Sequence, residues 1–103
     1  MVETRNSTLS DGRKISLREP GPDQMLDLIL GVGAEAAMNP TWMNYAVHAA
    51  SVVELDGQPL AFPMDEAAVK NVLRKLGSKG FSEVFLLNTK AAPDAGGQDA
   101  VKN

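Results

Sequence analysis

The chain has 103 residues, of which 44% are apolar, so we expect one globular domain with a modest core. The absence of cysteine excludes disulfides, thiol nucleophiles and cysteine metal sites, and it fits a reducing compartment. No apolar run reaches the roughly 18 residues of a membrane helix, and the polar segment 1–10 lacks the apolar core of a signal peptide. We therefore expect a protein of the cytosol with no membrane partner.

The formal net charge is -3, but the charges are distributed unevenly. No Lys or Arg occurs from Asp23 to Val69, whereas segment 70–80 holds four bases and no acid. Four bases neutralise only a few phosphates, so we do not expect nucleic-acid binding. The two charge blocks permit weak head-to-tail self-association, although ordinary placement of charges along helix dipoles also explains them.

Segment 4–19 predicts a β-hairpin. Residues 15–18 alternate apolar and polar side chains, as a half-buried strand does. Asp11 and Gly12 predict a two-residue turn, because glycine accepts positive φ. The proline-rich segment 20–22 then ends the second strand.

A first helix is expected from about Pro22 and Asp23, since proline suits the first helical position and an acid favours the helix dipole there. One apolar stripe follows at helical spacing, with a second apolar flank beside it. The stripe holds Met25, Leu28, Ile29, Val32 and Ala36, and the flank holds Leu26 and Leu30. Gly31 and Gly33 weaken this helix, and either permit the close approach of another helix or mark an early end.

A second helix is expected over 40–52, with Asn39 as its N-cap and Pro40 at its first position. Segments 52–54 and 60–62 predict a short second hairpin across a turn at 55–59. Pro59 restricts that hairpin to the edge of a sheet, because proline donates no backbone hydrogen bond.

A third helix is expected to start with Asp65 as its N-cap and to end at Gly77, and a fourth is expected over 78–88. Segment 91–103 has almost no apolar bulk and predicts a disordered tail. The expected fold class is α+β, mainly α: an N-terminal β-hairpin followed by a bundle of about four helices, in one domain spanning 1–90.

The sequence offers no set of residues for catalysis, and we expect neither an enzyme nor a cofactor. His48 is the one histidine, and no second histidine or carboxylate lies one helical turn from it, so we expect no metal site. Gly31 and Gly33 lack the third glycine and preceding strand of a nucleotide loop. Asp23 and Asp27 lie one turn apart, as on a solvated acidic helix face.

A candidate partner-binding site lies at the junction of the first two helices, where Met38, Trp42, Met43 and Tyr45 cluster in the sequence. Methionine and tryptophan suit adaptable apolar recognition of another chain. Two interpretations stay open: these side chains line a groove for a partner, or they belong to the core of a domain that has one tryptophan.

Several short motifs occur in an order that is typical of one family. They are Leu-Ser-Asp-Gly-Arg at 9–13, Ile-Ser-Leu-Arg-Glu-Pro at 15–20, Val-Glu-Leu-Asp-Gly-Gln-Pro-Leu at 53–60 and Leu-Arg-Lys-Leu-Gly at 73–77. Over about residues 8–87, the chain resembles phage tail assembly chaperones. The motifs are structural, so the resemblance carries over no catalytic residue.

The resemblance implies a mostly helical protein of the host bacterial cytoplasm. Such chaperones bind the long tape measure protein, keep it soluble, help to deliver tail tube subunits, and are absent from the finished virion. Many are made in two forms, the longer by a programmed ribosomal frameshift. Two other classes stay open: a structural tail or connector protein, and a small host-directed inhibitory binding protein.

Overall fold

The computed structural model describes residues 4–91 as one antiparallel sheet with helices against it. The strands, in sheet order, are β1 (Thr4–Thr8), β2 (Lys14–Arg18), β3 (Val52–Leu55) and β4 (Gln58–Pro59), and the helices are α1 (Pro22–Val32), α2 (Ala34–Ala37), α3 (Pro40–Ala50) and α4 (Glu66–Ala91). The predicted α+β, mainly α, fold with an N-terminal hairpin is confirmed. The predicted tail spans 91–103, and apart from Ala91 it lies outside the described residues.

One face of the sheet forms part of the core. In β2, Ile15 and Leu17 are buried, whereas Lys14 and Arg18 are exposed, as the period of two in a strand requires. The other core side chains come mainly from α1, α3 and α4. They include Leu28, Val32, Ala46, Ala49, Ala50, Val69, Val72, Leu76 and Val84. The helices therefore cover the inner face of the sheet.

Pairing of β2 with β3 joins the two predicted hairpins into one sheet, and this pairing contains a β-bulge. In β3, Glu54 pairs with Ser16 and Val52 pairs with Leu17, which leaves Val53 as an extra residue. Because of that extra residue, Val52 and Leu55 are both buried although they lie an odd number of positions apart. The pairing of β2 with β3 was not predicted from the sequence.

The predicted two-residue turn at Asp11 and Gly12 is wrong. The structure has a five-residue loop over 9–13, in which the Leu9 N–H donates to the Arg13 carbonyl at 2.8 Å and the Gly12 N–H donates to the Leu9 carbonyl at 2.9 Å. Gly12 has φ +95°, the left-handed conformation that glycine accepts without strain.

A two-residue turn does occur between β3 and β4, within the predicted turn at 55–59. Asp56 and Gly57 have φ values of 54° and 83°, as a type I′ hairpin turn requires. Because this turn is so short, β4 occupies Gln58 and Pro59, not the predicted 60–62. Pro59 does lie at the sheet edge.

Gly31 and Gly33 have separate roles: Gly31 permits a close approach, of a loop and not of the predicted second helix, and Gly33 ends the helix. A Cβ atom on Gly31 would lie 1.8 Å from the carbonyl oxygen of Met64, so this glycine permits the loop before α4 to lie directly against α1. Gly33 has φ +92° and ends α1 at Val32. The predicted stripe therefore continues to Ala36 only through the separate short helix α2.

The predicted caps of the later helices are confirmed. The Asn39 side chain accepts a hydrogen bond from the Trp42 N–H at 3.0 Å, and the Asp65 side chain accepts one from the Ala68 N–H at 2.8 Å. Helix α3 ends at Ala50, earlier than predicted, because the chain enters β3 there. The predicted third and fourth helices are the two segments of α4.

The break in α4 lies at Gly77, which has φ 74° and separates segments 66–76 and 78–91. Arg13 lies at this break and donates to the carbonyl oxygens of Lys75 at 2.6 Å and Leu76 at 2.9 Å. Asp11 holds the Arg13 guanidinium with an ion pair of 2.9 Å. The guanidinium therefore satisfies carbonyls that have no helical donor at the end of the first segment.

The same loop also contacts the second segment of α4. Glu83 accepts hydrogen bonds from the N–H and the hydroxyl of Ser10, at 2.8 and 2.6 Å. These bonds, the hydroxyl bond most of all, lower the pKa of the Glu83 carboxyl. Loop 9–13, which carries the first motif of the family resemblance, thus docks on both sides of Gly77.

We expect Arg13→Met to lower the free energy of unfolding by about 1 to 2 kcal/mol, because the helix-end carbonyls lose a charged donor while much of the aliphatic stem is kept. Urea unfolding would measure the change. Lys14→Met is the matched control, since Lys14 is exposed and adjacent in the chain. Equal effects of the two substitutions would contradict the capping role.

Candidate partner-binding surface

The four residues predicted to bind a partner divide into two pairs. Met38 at the end of α2 is 82% exposed, and Tyr45 on α3 is 46% exposed. Trp42 and Met43 are partly buried and pack against the core. The exposure of Met38 and Tyr45 favours a partner-binding surface, and the packing of Trp42 and Met43 favours a place in the core. The role of this segment in binding stays a prediction.

Tyr45 belongs to an aromatic seam, formed by Tyr45, His48, Phe81 and Phe85, between α3 and the second segment of α4. The rings of Tyr45 and Phe81 stack with centroids 4.8 Å apart. His48 meets Phe85 edge-on at 5.0 Å, and Phe81 at 6.0 Å. This seam was not predicted from the sequence, although the spacings 45/48 and 81/85 each place two rings on one helix face.

One end of the seam is held by a chain of hydrogen bonds. Arg5 of β1 donates to the Asn88 side-chain oxygen at 2.9 Å, so the Asn88 amide nitrogen faces His48 Nδ1 at 2.9 Å and donates to the Ser51 hydroxyl at 3.1 Å. Because Arg5 is only a donor, the orientation of the Asn88 amide is fixed. His48 Nδ1 must then accept, and the imidazole is neutral with its proton on Nε2.

Burial lowers the pKa of His48, since the charged imidazolium loses hydration between α3 and α4. The folded pKa is thus below the unfolded one, and the unfolded state binds more protons below about pH 6.5. The free energy of unfolding should therefore fall as the pH drops through this value, and level off below the folded pKa of His48.

We expect His48→Gln to remove this pH dependence, because glutamine is polar and does not titrate. The measurement is urea unfolding at several values between about pH 5 and 8, a range above the titration of the carboxylates. The matched control is Asn44→Gln, an exposed change on the same helix. An unchanged slope in the His48 variant would show that other groups carry the pH dependence.

Further bulky apolar side chains are exposed outside the predicted site. They are Leu26, Ile29 and Leu30 on α1, Met64 before α4, and Phe85 and Leu86 on α4. In the sequence, Leu26 and Leu30 form a second apolar flank of the first helix, for which no role was predicted. The one indication of their exposure in the sequence is their helical spacing, because it places both leucines away from the buried stripe.

The surface of the described residues includes two depressions that can be placed on the fold. One, of about 390 Å³, lies along β1 and β2 and includes Lys14 and Glu54; the other, of about 230 Å³, lies near Arg18 and Phe62. Within 4–91, no group of three or more His, Cys, Asp or Glu side chains is arranged to hold a metal ion. No helix of the described part is long and apolar enough to cross a bilayer.

Comparison of the chain with protein-family models, with curated proteins and with solved structures gave no match. The resemblance to tail assembly chaperones therefore rests on the sequence motifs.

Proposed function

We propose that the protein is a non-enzymatic phage tail assembly chaperone that binds the tape measure protein and keeps it soluble. The observation that supports this most directly is the exposure of Met38 and Tyr45 at the predicted site, where the neighbouring Trp42 and Met43 pack against the core. Exposed apolar side chains on rigid helices favour recognition of another chain. The family resemblance supplies the identity of that chain.

Binding of a tape measure protein requires a small, exposed apolar surface such as that at Met38 and Tyr45. A tape measure protein is a long helical chain whose apolar stripes would aggregate if they stayed bare. Many copies of a small domain, each binding weakly, can coat such a chain because each bound copy adds to the total affinity. A flexible methionine such as Met38 adapts to segments of different sequence.

In this proposal, Met38 and Tyr45 contact the tape measure protein, Trp42 and Met43 pack against the core, and the stacking on Phe81 fixes the Tyr45 ring. The bound chaperone helps to recruit tail tube protein in the host bacterial cytoplasm and leaves before the virion is complete. Loop 9–13 and its bonds to α4 maintain the domain and take no direct part.

The test is affinity purification of the full chain from cells that produce the phage, with captured proteins identified by mass spectrometry. We expect one very long helical protein together with the tail tube protein. The double substitution Met38→Ser and Tyr45→Ser should reduce that capture at least about tenfold, because each lost apolar contact weakens every copy. Leu86→Ser is the matched control, since Leu86 is exposed but lies outside the predicted site.

Two outcomes would overturn the proposal. Recovery of one host enzyme in a fixed ratio would indicate a host-directed inhibitor. Presence of the chain in purified virions would indicate a structural tail or connector protein. Circular dichroism of each variant separates lost binding from lost folding.

A further inference from the structure

Helix α1 carries a strip of apolar side chains on the side opposite to its buried face. At about 100° per residue, Leu26 and Leu30 both lie about 160° from Leu28, which is fully buried. Leu26 is 64% exposed and Leu30 is 81% exposed. These two leucines, one helical turn apart, define what we call the outer strip.

Acidic side chains lie along one edge of the outer strip. Asp23 and Asp27 are exposed on the same helix, about 20° and 60° around from Leu30. On the same side, the backbone of Met64 packs against Gly31, and the exposed Asp65 and Glu66 follow it in the chain.

The chain contains no Lys or Arg from Asp23 to Val69; the bases that flank this range are Arg18 and Lys70, and Lys70 lies one helical turn after Glu66, so Asp23 and Asp27 carry most of the negative edge. The other edge of the strip carries Ile29, which is exposed and apolar. The strip is thus apolar in its centre, apolar along one edge and negative along the other.

We propose that the outer strip binds an amphipathic helix of another chain that has an apolar stripe edged by Lys or Arg. The apolar stripe would cover the two leucines at helical spacing, and the cations would face the acidic edge. The negative edge selects this occupant, since an acidic amphipathic helix would meet like charges.

The chain's own segment 92–103 does not match this description, because Val101 is its one bulky apolar side chain. The outer strip shares no residue with the predicted site at Met38 and Tyr45, and its assignment rests on α1 and the loop beside it. It would stand even if the protein acted outside phage tail assembly.

The test uses the full chain and two synthetic, fluorescently labelled helical peptides. One has leucines at every third and fourth position with lysines along one edge of the leucine stripe, and the other has glutamates in place of those lysines. Fluorescence anisotropy should show binding of the lysine peptide, weakened by added salt because salt screens exposed charges, and no binding of the glutamate peptide.

Variants locate the binding site. Leu26→Ala with Leu30→Ala should weaken binding of the lysine peptide at least about tenfold, since both apolar contacts are lost. Asp23→Asn with Asp27→Asn should weaken it by a smaller factor and reduce its salt dependence. Leu86→Ala, an exposed leucine of α4, is the control and should leave binding unchanged.

Three outcomes would overturn the inference: no binding of the lysine peptide, an equal effect of the Leu86 control, or a concentration-dependent dimer that the Leu26 and Leu30 substitutions abolish. The last would make a second copy of the chain the occupant. Binding of the peptide without capture of a tape measure protein would sink the proposed function and leave this inference intact.

Discussion

Replacement of Gly31 with alanine should lower the free energy of unfolding by about 3 kcal/mol, because the new Cβ atom would lie 1.8 Å from the Met64 carbonyl oxygen. Intrinsic helix propensity predicts the opposite sign, since alanine favours a helix by about 1 kcal/mol over glycine. The contact is with main-chain atoms, so no change of rotamer can relieve it. The loop before α4 would have to move away from α1.

Urea unfolding of Gly31→Ala measures this effect, and Met64→Ala provides its sharpest control. If the clash is with the backbone, adding Met64→Ala to the Gly31 variant should not restore stability. A restored stability would place the clash at the methionine side chain, and a stabilised Gly31→Ala variant would show that α1 and the loop are not in close contact.

The second large effect on stability is expected from a buried leucine of α1, in comparison with an exposed leucine on the opposite face of the same helix. Leu28→Ala should lower the free energy of unfolding by about 3 kcal/mol, because it leaves a cavity at a fully buried position. Leu26→Ala removes the same atoms from an exposed position and should change stability by no more than about 0.5 kcal/mol.

Thermal and urea unfolding of the two variants would be compared directly, since residue type, helix and helix propensity are the same in both. Similar losses in the two variants would show that Leu26 is covered in solution. That result would also remove the outer strip as a free surface, so this comparison bears on the binding proposal as well.

Much of the fold could be predicted from local chemistry. Asn39 and Asp65 cap helices, and Gly77 ends one, because side-chain bonds and positive φ act over a few residues. Helix positions followed from the period of the apolar residues. The α+β class then followed from the order of the elements.

The choice between turns could not be predicted in the same way. Asp-Gly occurs at 11–12 and again at 56–57, and locally the two pairs are equivalent. Only the second forms a two-residue turn, because the first belongs to a loop whose Leu9 is buried and whose Arg13 reaches α4. These contacts join residues far apart in the chain, so a local pattern does not contain them.

Exposure of the residues in the predicted partner-binding site could not be predicted from local sequence either. Met38 and Trp42 are both large apolar residues near a helix junction, yet the first is exposed and the second packs against the core. Which of them faces solvent depends on the angle between α2 and α3. The outer strip was easier to see, because Leu26 and Leu30 lie on one regular helix.

The bonds between loop 9–13 and α4 also bear on how the protein forms during synthesis. Ser10 binds Glu83 and Arg13 binds Leu76, and Arg5 binds Asn88, so the first strands are completed by the last helix. A nascent chain emerges from the ribosome N-terminus first. Its early hairpin therefore lacks these bonds until α4 has been translated, and the domain can reach its final packing only after Asn88 has left the ribosome.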